Sequence, residues 1–133
     1  MSEPVFKNCF VCGQDNPIGL KLNFQYNENT AWCFWETHSD YEGYPGIIHG
    51  GIISTLLDEV MAKTILSGGQ TAVTTELNIK YKKPALVNKK YKVTGTILYQ
   101  KKRMIECSAI MSEADDDKHI IAEAKATYWK IDK

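Results

Sequence analysis

The chain has 133 residues, of which 44% are hydrophobic and 24% charged, a length that suits one well-buried core and is short for two domains. Sixteen basic residues balance sixteen acidic ones, so the net charge favours neither nucleic acid nor an anionic membrane as a partner. The sequence has no apolar run near the roughly 20 residues that cross a bilayer and no leader-like start, which predicts a cytoplasmic protein with reduced cysteines.

The first predicted elements form a hairpin. Apolar and polar residues alternate from Leu20 to Tyr26, and the stretch AWCFWET follows a turn at Asn27 to Asn29. A loop rich in turn residues, HSDYEGYPG, comes next. It leads to a predicted helix of about 16 residues, which the pair Gly68-Gly69 ends.

Four longer strands are predicted after the helix. Their sequences are TAVTTELNIKY, KKYKVTGTILYQ, RMIECSAIMS and HIIAEAKATYWKI, and the first of them places Val73, Thr75, Leu77, Ile79 and Tyr81 on one face. Such a series predicts one antiparallel sheet covered by a single helix, an α+β domain spanning residues 1–133. Because at least one sheet edge would stay open, dimerisation is expected.

The predicted helix has two unlike faces. Its broad apolar half must pack on the sheet and holds Ile52, Ile53, Leu56, Leu57, Val60, Met61 and Thr64. The opposite half is mostly small, which permits close approach of a ligand or another backbone, and it holds Gly51, Ser54, Thr55, Asp58, Glu59 and Ala62.

The start of this helix is unusual because Ile48, His49, Gly50 and Gly51 offer no standard capping side chain. Free amides at the positive end of a helix dipole suit a carbonyl oxygen that gains negative charge. Asp58, two turns downstream, is expected to reach such a carbonyl as a nucleophile or as a general base on water. The alternative is that the glycines only allow a turn and that Asp58 is a solvated residue.

The motif GYPGIIHGGIISTLLDE resembles the hotdog-fold acyl-CoA thioesterases, in which one long central helix is wrapped by a curved antiparallel sheet of five to six strands. The stretches CFVCGQDNPIGLKLNF and TTELNIKYKKPA look like the PaaI-type and Them-type branch. The resemblance implies hydrolysis of an acyl-CoA thioester at a site between two subunits of a homodimer or a dimer of dimers, with no cofactor and no metal.

The resemblance also implies roles for individual residues. The Gly50 amide would polarise the thioester carbonyl, Asp58 would be the catalytic carboxylate, and His49 would position the thioester or define the helix start. Thr74 would orient water or the carboxylate across a subunit interface. Substrate-binding roles would fall to Gly51, Thr75 and Glu59. Many PaaI-type relatives carry an asparagine where this chain has Gly43, so the asparagine contribution to carbonyl polarisation that those relatives have is not expected here.

Positive charge is concentrated between Lys80 and Arg103, a stretch with nine basic residues and no acidic one. Such a run is either a solvated strand surface or a binding site for the phosphates of coenzyme A. The sequence leaves both interpretations open and does not indicate which individual lysine would contact a phosphate.

The pair Cys9 and Cys12 has the spacing of half a zinc site, but the sequence shows no clear second half. A structural turn is the first interpretation, followed by a zinc half-site and then a redox pair.

Two rival functions share the fold. One is a non-catalytic module that binds or senses acyl-CoA. The other is a dehydratase or hydratase acting on acyl thioesters, whose relatives carry a different helix motif.

Overall fold

A computed structural model describes residues 6–131, which form one long helix and one six-stranded sheet. The helix α1 spans Gly50–Ser67, and a short 3-10 turn spans Ser39–Tyr41. The strands are β1 (Gln25–Asn27), β2 (Thr30–Glu36), β3 (Ala72–Tyr81), β4 (Lys90–Lys101), β5 (Met104–Glu113) and β6 (Asp116–Lys130). All neighbouring strands are antiparallel, in the order β1-β2-β4-β5-β6-β3.

The core lies between the apolar half of α1 and the facing surface of the curved sheet. Leu56, Leu57, Val60 and Met61 are all buried on the helix, and the sheet contributes buried side chains from β2, β4, β5 and β6. This arrangement confirms the predicted α+β hotdog fold, with the helix ending at Gly68-Gly69 as expected.

The helix approaches the sheet most closely at Gly95 of β4. A Cβ atom there would lie 2.8 Å from the carbonyl oxygen of Val60. The strand neighbours of Gly95 are Ala31 and Ala109, both buried, so three small residues form a shallow channel under the helix.

We therefore expect Gly95→Ala to lower the free energy of unfolding by about 1–3 kcal/mol, the usual cost of overpacking a core. Chemical denaturation of both proteins measures the difference. The control is Gly68→Ala, because Gly68 lies at an exposed helix end and an added Cβ there has no close neighbour. Gly46→Ala is unsuitable, since the φ of Gly46 is 79° and alanine would be strained there. A Gly95→Ala variant as stable as the parent would contradict the close approach.

A β-bulge in β3 changes the predicted face of that strand. The register with β6 shifts between Thr74 and Glu76, so Thr75 is the extra residue. Val73 consequently pairs with exposed Trp129, whereas Leu77 pairs with buried Ala126 on the helix side. The prediction that Val73 shares a face with Leu77 is wrong, because one inserted residue reverses the alternation.

The predicted first strand is shorter than expected, since only Gln25–Asn27 pairs with β2. The preceding residues bond instead to the amino-terminal turns: the amide of Leu20 donates to the carbonyl of Phe10, and that of Leu22 to Val11. Leu20, Leu22 and Phe24 still pack against the core, as the alternation indicates.

Candidate active site

The start of α1 is capped by His49, which corrects the prediction of a helix start without a cap. The His49 Nδ1 atom accepts a hydrogen bond from the Gly51 amide at 2.9 Å. An accepting Nδ1 carries no proton, so the proton of a neutral ring is on Nε2. Histidine is not a standard capping residue, so the local pattern predicted no cap, although the family resemblance allowed His49 to define the helix start.

The peptide group between Gly50 and Gly51 is held at both ends. Its N–H donates to His49, and its carbonyl oxygen accepts from Tyr81 Oη at 3.2 Å and from Ser54 Oγ at 3.1 Å. The Ser54 and Tyr81 hydroxyls also lie within hydrogen-bond distance of each other, and because each has one hydrogen the three contacts share two protons. The orientation of the first helical turn is therefore fixed by side chains from α1 and β3.

The preceding amide, that of Gly50, has no hydrogen-bond acceptor within residues 6–131. Gly50 lines a cavity of about 270 Å³ together with Ile53, Tyr81, Lys82 and Lys83. A partly exposed N–H at the positive end of a helix, next to a cavity, can donate to a carbonyl oxygen or an anion.

The carboxylate of Asp58 is held by two hydroxyl groups. Thr74 Oγ1 donates to Asp58 Oδ1 at 2.9 Å, and Tyr128 Oη donates to the same oxygen at 2.6 Å. Burial, and after it the hydrogen bond to Asp58, raises the pKa of Tyr128 far above its usual range, so this hydroxyl stays a donor. Both contacts form within one chain, so Thr74 does not need a subunit interface to reach Asp58.

Gly50 and Asp58 do not meet within one chain, and the expectation that Asp58 reaches a carbonyl at its own helix start is wrong. They are eight positions apart on a continuous helix. At 1.5 Å per residue this separates their Cα atoms by about 12 Å along the helix axis, and an aspartate side chain spans only part of that gap.

The other predicted residues lie in different surroundings. Thr75 Oγ1 donates to the backbone carbonyl of Thr127, and Glu59 Oε2 lies near Cys9 and Lys63. Gly51 is exposed beside the His49 ring. A Cβ atom at Gly43 would lie 3.4 Å from His49 Cα, so the position at which many PaaI-type relatives carry asparagine is next to the helix start.

Sequence reasoning missed Tyr128, Tyr81 and Ser54 as site residues. Tyr128 and Tyr81 are strand residues whose alternation predicts only that they face the helix. Which helix group they meet depends on the register of β3 with β6 and on the bulge, and neither leaves a local sequence signal.

Comparison with known proteins gives a consistent family assignment. The model of the thioesterase superfamily matches residues 45–119. The acyl-coenzyme A thioesterase THEM4 of Mus musculus is 34% identical over 132 residues, covering 92% of this chain and 54% of the mouse protein. The chain thus spans about half the length of this curated relative.

Solved structures share the fold. A crystal structure of a thioesterase superfamily protein has a TM-score of 0.85 at 22% identity and covers 93% of this chain and 64% of that one. The smu.793 protein from Streptococcus mutans UA159, bound to acetyl CoA, has a TM-score of 0.78 at 21% identity. The match covers 84% of this chain and 90% of the smu.793 chain.

Proposed function

Since the chain belongs to the thioesterase superfamily, we propose that it hydrolyses an acyl-CoA thioester to a free acid and coenzyme A. The observation that carries the proposal is the Gly50 amide, which has no acceptor within residues 6–131 and lines a cavity at a fixed helix start. The relative THEM4 is named for acyl-coenzyme A, and smu.793 was crystallised with acetyl CoA.

In the proposed reaction the thioester carbonyl oxygen accepts a hydrogen bond from the Gly50 N–H. As the carbonyl carbon is attacked, negative charge develops on this oxygen and is stabilised by the amide and the helix dipole. Asp58 acts either as the nucleophile or as the general base that takes a proton from water. Water supplies the new oxygen of the acid, and the CoA sulfur leaves with a proton.

The site requires two chains, because about 12 Å along one helix separates Gly50 from Asp58. We propose that β3 edges from two chains pair, so that the Gly50 amide of one protomer faces Asp58 of its partner. β3 bonds to β6 on only one side within residues 6–131, and its exposed apolar side chains include Val73 (48% exposed) and Tyr81 (52%). A long open edge with exposed apolar residues is a pairing surface.

Complementation between two inactive variants tests the shared site. Asp58→Asn removes the carboxylate, and Gly50→Pro removes the amide hydrogen. Mixed dimers combine the intact Gly50 of one variant with the intact Asp58 of the other. Coexpression should restore about a quarter of the parent activity, since half of randomly formed dimers are mixed and each has one complete site.

The two variants carry different affinity tags, so that mixed dimers can be purified through both tags before the assay. If the two chains do not form mixed dimers, this purification yields no protein. Mixed dimers as inactive as either variant alone would mean that each site belongs to one chain. A dimer of dimers is compatible with either outcome.

The cavity beside Gly50 suggests how coenzyme A is held. Lys82 and Lys83 line it, and they belong to the stretch from Lys80 to Arg103 that has no acidic residue. Lys82 also pairs with Glu123 at 3.5 Å, and Lys83 lies 3.1 Å from His119 Nε2. We propose that these two lysines contact the CoA phosphates, because mobile cations suit exposed phosphate groups.

Tyr128 is proposed as a positioning residue for the Asp58 carboxylate. Tyr128→Phe should lower kcat for acyl-CoA hydrolysis by about 10–100-fold with little change in KM, because a carboxylate held by Thr74 alone is less well aligned. Tyr99→Phe is the matched control, since Tyr99 donates to Glu106 at 2.9 Å on an exposed surface. An unchanged kcat in Tyr128→Phe would show that Thr74 alone suffices.

The rival function is a module that binds or senses acyl-CoA without turnover. The two functions differ in thiol release from acyl-CoAs of varied chain length. Release catalysed by the parent chain supports hydrolysis, whereas binding without release supports the sensor.

We propose that residues 1–133 form one domain. We also propose that the protein is located in the cytoplasm. No disulfide joins any of the four cysteines, all of which lie within residues 6–131, in keeping with a reducing compartment. Within residues 6–131, the structure has no helix that combines the length and the apolar character needed to cross a membrane.

A further inference from the structure

A turn near the amino terminus brings two cysteines against one side of α1. Cys9 Sγ lies 3.5 Å from Glu59 Oε2, and Cys12 Sγ lies 3.1 Å from Lys63 Nζ. The two sulfur atoms and a Glu59 carboxylate oxygen are all within 4.8 Å of one another. Residues some fifty positions apart in sequence thus form one compact cluster of metal-binding side chains.

The backbone of the turn is shaped to keep both sulfur atoms on the same side. The Cys12 amide points at Cys9 Sγ at 3.3 Å, and the Gly13 amide donates to the Cys9 carbonyl at 2.8 Å. A Cβ atom at Gly13 would lie 2.4 Å from the Cys9 nitrogen, so only glycine allows the turn to close this tightly. Backbone N–H groups directed at a cysteine sulfur stabilise the negative charge of a thiolate.

The separation between the Cys9 sulfur and the Glu59 oxygen, which also suits a hydrogen bond from the thiol, fits tetrahedral zinc. Zinc binds thiolate sulfur at about 2.3 Å and carboxylate oxygen at about 2.0–2.2 Å, so tetrahedral sulfur and oxygen ligands lie about 3.5–3.7 Å apart. The Cys9 sulfur and the Glu59 oxygen are 3.5 Å apart. Two thiolates also favour a soft or borderline ion such as Zn²⁺ over Mg²⁺ or Ca²⁺.

The charge of the cluster is balanced by a buried lysine. The Lys63 side chain is only 3% exposed, and its Nζ lies 3.8 Å from Glu59 Oε2 and 5.5 Å from the centre of the Phe24 ring. Two thiolates and one carboxylate carry three negative charges, which one divalent ion and the Lys63 ammonium neutralise. Burying a charge without such compensation is costly.

We propose that Cys9, Cys12 and Glu59 bind one Zn²⁺ ion per chain, which fastens the amino-terminal segment to α1. In the binding step each thiol releases its proton to solvent as a zinc–sulfur bond forms, and no group is oxidised or reduced. The fourth position of the tetrahedron is left to a water molecule, as in zinc sites that have three protein ligands. The sequence predicted no metal site because the cysteine pair lacked visible partners, and Glu59 was assigned to substrate binding.

Cobalt substitution tests the proposal without relying on activity. The full chain is reduced with a phosphine, stripped with a chelator and titrated with Co²⁺. We expect one equivalent of Co²⁺ to produce an intense sulfur-to-cobalt charge-transfer band in the near ultraviolet, and one equivalent of Zn²⁺ to abolish it. The midpoint of thermal unfolding should also rise with added Zn²⁺, because the ion binds only the folded site.

Variants separate the ligands from the other thiols. Cys12→Ser should weaken binding by more than the 10–100-fold that loss of an outer-shell partner costs, and should reduce the charge-transfer band. Glu59→Gln should weaken Co²⁺ binding but keep the sulfur-to-cobalt band, because both cysteines remain. Cys107→Ala is the matched control, because Cys107 is buried in the core with its sulfur against Thr64, and it should bind Co²⁺ like the parent.

The proposal is wrong if the reduced parent chain shows no sulfur-to-cobalt band. It is equally wrong if the Glu59→Gln variant, with its folding verified by circular dichroism, binds Co²⁺ as tightly as the parent.

Discussion

Asp58→Asn is expected to reduce kcat for acyl-CoA hydrolysis by about 10²–10⁴-fold, the contribution of a positioned acid–base group. Asparagine keeps a side-chain oxygen that can accept from Thr74 and Tyr128, so the packing around position 58 should persist. Its neutral amide can neither attack the thioester nor take a proton from water. The measurement is thiol release under saturating acyl-CoA.

The control for this variant is Asp115→Asn, which neutralises an exposed carboxylate in the turn between β5 and β6. It should hydrolyse acyl-CoA like the parent. Equal activity of Asp58→Asn and the parent would remove Asp58 from the mechanism and leave the Gly50 amide without a catalytic partner. Retained acyl-CoA binding in Asp58→Asn would show that the lost activity reflects chemistry and not a disturbed site.

The sequence predicted those parts of the molecule that follow from local periodicity. Alternation along β4, β5 and β6 and the apolar half of α1 specify a sheet covered by one helix. The glycine pair Gly68-Gly69 marks the helix end because residue 69, with a φ of 87°, favours glycine. These features depend on residues close together in the chain, and they were confirmed.

The parts that were missed depend on contacts between distant residues. The Thr74–Glu76 bulge, the bonds from Tyr128 to Asp58 and the burial of Lys63 all follow from how β3, β6 and the amino-terminal turn meet α1. The expected reach of Asp58 rested on its place two turns after Gly50 and did not weigh the axial rise of those eight residues, about 12 Å. For this reason the predicted single-chain site required correction, whereas the predicted subunit interface remains a proposal.

Gly50→Pro is the sharpest test of the proposed oxyanion site, because it replaces the amide hydrogen by a ring carbon in a backbone that already suits proline. His49 has φ −60° and ψ 131°, the conformation that a residue before proline prefers. Gly50 is the first helical residue, where proline is favoured, and its N–H has no acceptor within residues 6–131. We expect kcat to fall by about 10²–10³-fold, the cost of losing one oxyanion donor.

The same substitution should leave stability unchanged or raise it by about 0.4–1 kcal/mol, since proline restricts the unfolded chain. Gly50→Ala is the matched control: its Cβ would lie 3.6 Å from the Tyr81 ring, an ordinary contact, and its N–H remains. It should therefore keep most of the activity. A chain that becomes more stable and yet loses turnover has lost a functional donor, whereas Gly50→Pro with parental kcat would show that the thioester oxygen is bound elsewhere.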